Sequence, residues 1–164
     1  MCYEDEFIRN EGAATMPHRQ AVLSVRSGPN AGDTIYLDAG TCRLIGRHLS
    51  ADETVLLGRD GNRLLDSEAT DIWNHHLRDR SPERGAVPTK ISHETFERGQ
   101  DIIFSDGSIS RAHAMLFYDA RGLGIIDLAS TNGTFVNAER VTTADLCDGD
   151  LVGLGNSAVV VGLR

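Results

Sequence analysis

Cysteine is scarce in this chain of 164 residues, which contains only three. Cys2, Cys42 and Cys147 lie far apart, whereas a disulfide framework in a small secreted domain uses an even, closely spaced set. The pattern predicts reduced thiols and a cytoplasmic location. The first twenty residues are acidic and have no apolar core, so we do not expect a signal peptide.

Basic residues are also few, with 16 Lys and Arg against 24 Asp and Glu and a formal net charge of −8. Because nucleic acids are bound mainly through cations that neutralise their phosphates, no nucleic-acid partner is expected. One phosphate group is a different case, since a few local donors can capture a single anion whatever the overall charge. No apolar run is long enough for a membrane span, and the longest, residues 158–163, suits a buried strand.

Short apolar segments separated by polar turns are what the chain does contain. The length suffices for one domain with a core, and the composition is that of an ordinary globular protein. Many short strands with regular turns predict an all-β sandwich or barrel. The predicted strands cover residues 21–26, 34–37, 41–47, 101–104, 114–119, 124–128, 133–137, 150–155 and 158–163.

Two parts of the chain depart from this pattern. Residues 1–20 show no sustained period and are predicted to form a flexible tail. Residues 48–100 lack strand alternation, but residues 67–78 space Ala, Ile, Trp and Leu along one helical face, and residues 92–98 suggest another helical turn. A structureless loop of this length is unusual, so we expect one β domain over 21–164 with a partly helical insertion at about 48–100.

Two polar clusters lie between strands in the second half of the chain. One reads Ser-Arg-Ala-His over residues 110–113, and the other reads Ser-Thr-Asn-Gly-Thr over residues 130–134. Loops carry function while a sheet holds them in place. Hydroxyl, amide and guanidinium groups on two such loops are suited to recognising an anion.

Taken in order with Gly46-Arg47 and Asn137, these clusters resemble the pattern of the forkhead-associated (FHA) domain family. The flanks agree, because residues 27–37 resemble the family's opening hairpin and residues 146–155 its late Asp-Gly-Asp turn. The resemblance covers about residues 21–163. It implies a two-sheet β sandwich of short, mostly antiparallel strands that binds phosphothreonine peptides through the loops at one end and has no catalytic activity.

The resemblance also assigns roles to four residues: Arg47, Ser110 and Thr131 are expected to contact the phosphate, and Asn132 to bind the peptide backbone. Arg111, which follows Ser110, is expected either to add a second cation or to face solvent. A phosphothreonine carries about −1.5 to −2 charges and three strong acceptor oxygens. A guanidinium fork and hydroxyl donors match it through short, charge-assisted hydrogen bonds.

Four further residues are expected to support the site. Gly46 ends the third strand, Gly133 permits a positive φ or a close approach, His113 ties the binding loops together, and Asn137 holds a neighbouring loop. A hydrolase built on Ser110 and His113 is rejected, because no group to orient the base and no oxyanion site accompany them. The chain is therefore not expected to be an enzyme.

Because the insertion interrupts the family pattern, the sequence does not decide which of three arginines is the main cation of the site. Arg47 is preferred because a good strand precedes it, but Arg59 belongs to a second Gly-Arg pair and Arg98 lies just before residue 101. The insertion itself is expected either to cover, extend or regulate the peptide site, or to pack on the side of the sandwich. The second reading is favoured for most of its mass, because an apolar helical face more often packs than recognises a ligand.

The expected function is therefore that of a phosphothreonine-dependent signalling adaptor. Its partner is another phosphorylated protein, or its own tail if a kinase modifies Thr15. The alternative is a phosphorylation-independent scaffold domain that uses the insertion or a sheet face. No cofactor and no metal site are expected, because His75 and His76 point in different directions on a helix and no ligand set converges with His93. The kinase, the residue preference and the oligomeric state are left open.

Overall fold

The computed structural model describes residues 19–77 and 96–164, so residues 1–18 of the tail predicted over 1–20 lie outside the described residues, and Gln20 already begins the first strand. The elements within these ranges follow the predicted strands closely and add three short ones. They are β1 Gln20–Ser27, β2 Thr34–Asp38, β3 Thr41–Arg47, α1 Ser67–His76, β4 Glu97–Arg98, β5 Ile102–Phe104, β6 Ala114–Asp119, β7 Gly122–Asp127, β8 Thr134–Val136, β9 Glu139–Val141, β10 Thr143–Leu146, β11 Leu151–Leu154 and β12 Ser157–Leu163.

The strands form two sheets packed as a sandwich, which confirms the predicted fold class. The first sheet has the order β2-β1-β12-β11-β8-β9 and the second the order β10-β7-β6-β3-β4, with β5 also paired to β3. The described ladders are antiparallel, apart from β3 with β4 and β3 with β5. Thr41 pairs with Glu97 and Ile45 with Ile102, so β4 and β5 form one edge strand that is broken at residues 99–101.

The main core lies between the sheets and follows from alternation along the strands. In β1, Ala21, Leu23 and Val25 are buried while the residues between them are only half-buried. Strand β6 differs, since all six of its residues are buried. Its even positions face the other sheet and its odd positions, Met115 and Phe117, belong to a second apolar cluster on the outer face.

Helix α1 closes that second cluster. The Asp66 carboxylate caps it by accepting from the Ala69 N–H at 2.8 Å, and the helix ends at Leu77. Trp73 is fully buried and meets the Phe117 ring edge-on, with centroids 5.7 Å apart. The predicted helix and its packing through Ile72, Trp73 and Leu77 are thus confirmed.

The helical turn predicted over residues 92–98 is wrong for its last two residues. Glu97 and Arg98 form strand β4, and residues 92–95 lie outside the described residues. The physical reason is the free edge of β3, whose backbone groups pair with this segment: Glu97 N–H donates to Gly40 O at 3.0 Å and Gly99 N–H to Cys42 O at 2.8 Å. Strands β9 and β10 also escaped prediction, because their mostly exposed residues show little apolar alternation.

A polar clasp made by Asn62, Arg63, Arg98 and Asp101 fixes the insertion in the gap between β4 and β5. The Asn62 side chain donates to Gly99 O at 3.0 Å and accepts from Asp101 N–H at 2.9 Å. Asp101 in turn accepts from Arg63 N–H at 2.8 Å and pairs with the Arg98 guanidinium at 2.9 Å. The first part of the insertion is therefore bonded to the sheet and does not hang from it as a free loop.

The cysteines do not share one state. Cys42 is a free thiol on β3, and burial raises its pKa to about 12. Cys147 is disulfide-bonded, so the prediction of reduced thiols is wrong for this residue, because an odd number of cysteines still allows one pair. Within the described ranges, no helix is long and apolar enough to cross a membrane.

Gly46, the penultimate residue of β3, lies directly against the backbone of the loop that precedes β6. A Cβ atom at this position would overlap the Arg111 carbonyl oxygen and would lie 3.0 Å from Nη1 of Arg63. The close approach of strand and loop therefore requires glycine, and it is a matter of space, since Gly46 is not among the residues with positive φ.

We expect Gly46→Ala to destabilise the fold by about 2–4 kcal/mol, because a backbone oxygen cannot move aside as the end of a side chain can. Urea denaturation measures this loss. Gly153→Ala in β11 is the matched control, since a Cβ there would meet Phe135 Cβ at an ordinary 3.5 Å. Equal losses in the two variants would contradict the close approach at Gly46.

Candidate functional site

The strand directions bring the predicted site residues to one end of the second sheet. Strand β5 is parallel to β3, and β6 is antiparallel to β3. The end of β3, the whole β5–β6 loop and, after β7, the β7–β8 loop therefore lie at the same end. These two loops, residues 105–113 and 128–133, are called the first and second site loops below.

His113 joins the two site loops. Its ring is fully buried, Nδ1 accepts from the Ser110 N–H at 3.0 Å, and Nε2 lies 3.0 Å from Gly133 O. A carbonyl only accepts, so the Nε2 nitrogen carries the proton and the ring is neutral. The His113 backbone adds bonds to Ile45 O and from Leu128 N–H, both at 2.9 Å.

Asp106 anchors the first site loop. One carboxylate oxygen accepts from the N–H and the hydroxyl of Ser108 at 2.9 and 2.5 Å, and the other from Asn156 N–H and the Ser157 hydroxyl at 2.9 and 2.7 Å. Burial alone would raise the pKa of Asp106, but these hydrogen bonds outweigh it and hold the pKa below its usual range. The loop is thus bonded to the turn between β11 and β12.

Asp127 organises the second site loop in the same way. It accepts from the hydroxyls of Ser130 and Thr134 at 2.5 and 2.7 Å, and the Ser130 hydroxyl accepts from Gly133 N–H at 3.0 Å. Gly133 has a φ of +90°, and a Cβ there would lie 2.7 Å from Nε of Arg140. Both reasons offered from the sequence for a glycine, positive φ and close approach, apply at this position.

The two loops leave several polar groups available for a ligand. The Ser110 hydroxyl accepts from Thr131 N–H at 3.0 Å, and within the described part of the chain its own proton has no acceptor. The exposed Asn132 side chain donates to Ser108 O at 2.8 Å, and its carbonyl oxygen accepts no hydrogen bond from residues 19–77 or 96–164. The side chains of Thr131 and Arg111 are exposed beside them.

Arg47 lies at the rim of an open cleft of about 470 Å³ that also contacts Ser105, Asp106 and Gly107 of the first site loop. Its guanidinium is engaged with Glu53 of the insertion, through Nη1 at 2.7 Å and Nη2 at 2.8 Å. The hydrogen bond with Glu53 raises the pKa of Arg47, and the same bond holds the pKa of Glu53 well below its usual range.

The other arginines considered from the sequence lie elsewhere. Arg98 belongs to the polar clasp, where it bonds Asp101 and Arg63 O, and Arg59 is exposed in a turn of the insertion. Arg63 was not anticipated, yet its guanidinium crosses Gly46 and donates to Arg111 O at 2.9 Å. No local sequence signal marks Arg63, because the clasp decides its position.

Asn137 lies at the opposite end of β8 from the second site loop. Its side chain donates to Asp150 at 3.0 Å and accepts from Leu151 N–H at 3.0 Å, and its φ is +50°. It therefore joins two turns remote from the candidate ligand groups. No three His, Cys, Asp or Glu side chains gather into a metal-binding group anywhere in residues 19–77 and 96–164.

Comparison with known proteins agrees with this architecture. Residues 93–155 match the family model of the FHA domain. The FHA domain-containing protein FhaA of Mycobacterium tuberculosis is 42% identical over 66 residues, which cover 39% of this chain and 12% of FhaA. The glycogen accumulation regulator GarA of Mycolicibacterium smegmatis is 26% identical over 149 residues, which cover 91% of this chain and 63% of GarA. The chain thus spans less than two thirds of either relative.

Two solved structures share the fold. The FHA domain of a hypothetical protein from Arabidopsis thaliana aligns over 94% of this chain and 93% of its own with a TM-score of 0.55 and 22% identity. The FHA domain of the CT664 protein from Chlamydia trachomatis aligns over 87% and 96% with a TM-score of 0.51 and 21% identity. At these identities the likeness concerns the fold.

The His113 bridge predicts a dependence of stability on pH. Burial lowers the pKa of His113 from its ordinary 6.5, while the hydrogen bond to Gly133 O opposes this shift. Below pH 6.5 an unfolded chain takes up a proton that the folded chain resists. Acidification from about pH 7.5 to about pH 5 should therefore remove stability, and this loss should be reduced in His113→Ala.

His113→Ala should also cost about 2–4 kcal/mol at neutral pH, because it leaves a cavity and unpaired groups at Ser110 and Gly133. Denaturant titrations at several pH values test both effects. His48→Ala, at an exposed position after β3, is the control and should keep the wild-type pH profile. A wild-type profile in His113→Ala would mean that this ring does not govern acid sensitivity.

Proposed function

From the membership of residues 93–155 in the FHA domain family, we propose that this chain binds phosphothreonine peptides and serves as a signalling adaptor without catalytic activity. The observation that carries the proposal is the His113 bridge. It holds two loops together so that the hydroxyl of Ser110, the side chain of Thr131 and the amide oxygen of Asn132 are available side by side.

The chemistry of these groups fits a phosphorylated residue. A phosphate needs donors, and Ser110 and Thr131 supply hydroxyl protons while Arg47 and Arg111 supply charge. The Asn132 carbonyl accepts from a peptide N–H. The proposed ligand-contacting residues are therefore Arg47, Ser110, Arg111, Thr131 and Asn132, with Gly46, His113 and Gly133 in supporting roles, whereas Asn137 holds the turns at the other end of β8.

The absence of catalysis is supported by the hydrogen bonds of His113. Its Nδ1 accepts from the backbone N–H of Ser110 and its Nε2 donates to Gly133 O. Neither ring nitrogen is left to remove the proton of the Ser110 hydroxyl, as a general base must. A serine hydrolase at this position is chemically disfavoured.

The proposed domain spans residues 21–164 with its insertion at about 48–100, and the proposed setting is the cytoplasm. The partner is a phosphothreonine-containing protein, with Thr15 of the chain itself as a second source of the same group. A regulatory role is in line with the name of the relative GarA, a glycogen accumulation regulator. Neither a nucleic acid nor a membrane is proposed as a partner.

One observation favours the alternative function, a phosphorylation-independent interaction domain. Leu56, Leu57 and Leu64 of the insertion are 75%, 59% and 54% exposed. Leu56 and Leu64 are neighbours, because the Leu64 N–H donates to Leu56 O at 2.9 Å. Neighbouring exposed leucines are a common protein contact, and this contact would bind a partner whether or not that partner is phosphorylated.

A phosphothreonine peptide library, assayed with and without phosphatase treatment, tests the proposed function. We expect binding that is lost when the phosphate is removed. Ser110→Ala should weaken the best ligand by about 1–3 kcal/mol in calorimetry, because one acceptor of a charged group is left unpaired. Ser110→Thr, which keeps the hydroxyl, should restore part of the loss.

Ser105→Ala is the matched control, since Ser105 is exposed on the same loop and borders the same cleft. It should bind the peptide as the wild type does. Equal binding of treated and untreated peptides by all variants would reject phosphothreonine recognition and favour the contact through the exposed leucines.

A further inference from the structure

We propose that Glu53 is a built-in competitor for the anion of the ligand and that it sets how strong an anion must be to occupy the site. This inference rests on the proposed function, because it assumes that Arg47 receives the phosphate. It names a residue outside the predicted site and a ligand class, a phosphate monoester in its doubly charged form. Carboxylate side chains in place of the phosphothreonine are excluded.

The contact between Glu53 and Arg47 has the geometry of ligand recognition. Both carboxylate oxygens face the guanidinium, at 2.7 and 2.8 Å, in a two-pronged arrangement. The side chains of Arg47 and Glu53 are each only 23% exposed. A ligand that uses the same edge of the guanidinium must therefore displace a carboxylate that is already well bound.

Glu53 is held in position before any ligand arrives. One of its carboxylate oxygens accepts from the N–H of Ser50 at 2.8 Å and from the Ser50 hydroxyl at 2.9 Å, and Glu53 N–H donates back to Ser50 O at 3.0 Å. These bonds close a tight turn over residues 50–53, immediately after β3. Glu53 thus competes from within the same molecule, at a high effective concentration.

Replacing the Glu53 carboxylate at Arg47 by a carboxylate of the peptide yields almost no net binding free energy. An Asp or Glu side chain of a peptide offers Arg47 the same group as Glu53 and also loses its freedom on binding. A phosphothreonine brings about twice the charge and a third acceptor oxygen, which Ser110 or Thr131 can engage. Only the phosphate therefore recovers the cost of displacing Glu53.

The free energy needed to displace Glu53 is the same for every ligand that binds Arg47. It therefore lowers the affinity of all such ligands by the same factor, so that weakly bound anions no longer bind measurably. The conclusion applies to a ligand that displaces Glu53 from Arg47, since Glu53 left in place would repel a doubly charged phosphate more strongly than a carboxylate.

Calorimetry on Glu53→Gln tests the inference with two probes, the best phosphothreonine peptide of the library and the same peptide with glutamate in place of the phosphothreonine. The variant should bind the phosphopeptide about 2- to 5-fold more tightly than the wild type, in the range of a solvent-accessible ion pair. The glutamate peptide should gain by the same factor and become easier to detect. Glu53→Ala should act in the same direction.

Asp52→Asn is the matched control. It removes one negative charge from the adjacent residue of the same cleft, but Asp52 accepts from the Ser50 hydroxyl at 2.8 Å and not from Arg47. Its effect should stay below about twofold, since it changes only the general field. An equal gain in Asp52→Asn and Glu53→Gln would overturn the specific competition.

The outcomes separate the two proposals. If the wild type binds phosphopeptides and both Glu53 variants bind them equally well or less tightly, Glu53 is not a competitor and the proposed function stands. If no folded variant binds any phosphopeptide, the proposed function fails and the role of Glu53 fails with it. A thermal melt of each variant establishes that it is folded.

Discussion

The buried ring of His113 is the contact on which the candidate site depends. Each of its ring nitrogens is bonded to the backbone of a different loop, and His113 is the last residue of the first site loop, directly before β6. The sheet thus fixes the ring, and the ring fixes both loops. Ser110 and Thr131, 21 residues apart in the chain, become hydrogen-bonded neighbours only because this one side chain sets the spacing.

Strand alternation and turn chemistry carry most of the fold. Segments such as β1, β3 and β12 alternate or remain apolar between clear turn residues, so they could be located from the sequence. Strand β4 could not be located, because its two residues are polar and show no alternation. They form a strand because the edge of β3 offers backbone groups that need partners. The site loops were found from residue types, but their hydrogen-bond partners, such as Asp106 with Ser157, depend on tertiary contacts.

In the insertion, too, the helix could be predicted from the sequence but the long-range hydrogen bonds could not. Its helix is readable from the apolar spacing that buries Trp73 and Leu77. Its polar part is not, since nothing in the sequence indicates that Asn62 would bond Gly99 or that Glu53 would reach Arg47. Long-range pairs between charged or polar side chains leave no periodic signal, and these are the pairs that connect the insertion to the site.

The broken edge strand has a consequence for the behaviour of the protein in solution. A long, flat edge strand invites other chains to add to it, whereas this sheet ends in β4 and β5, which are two and three residues long. The gap between them is filled by the side chain of Asn62 and the ion pair of Arg98 with Asp101. The insertion therefore disfavours aggregation by covering the edge of β3, whose backbone groups could otherwise pair with a strand of another chain.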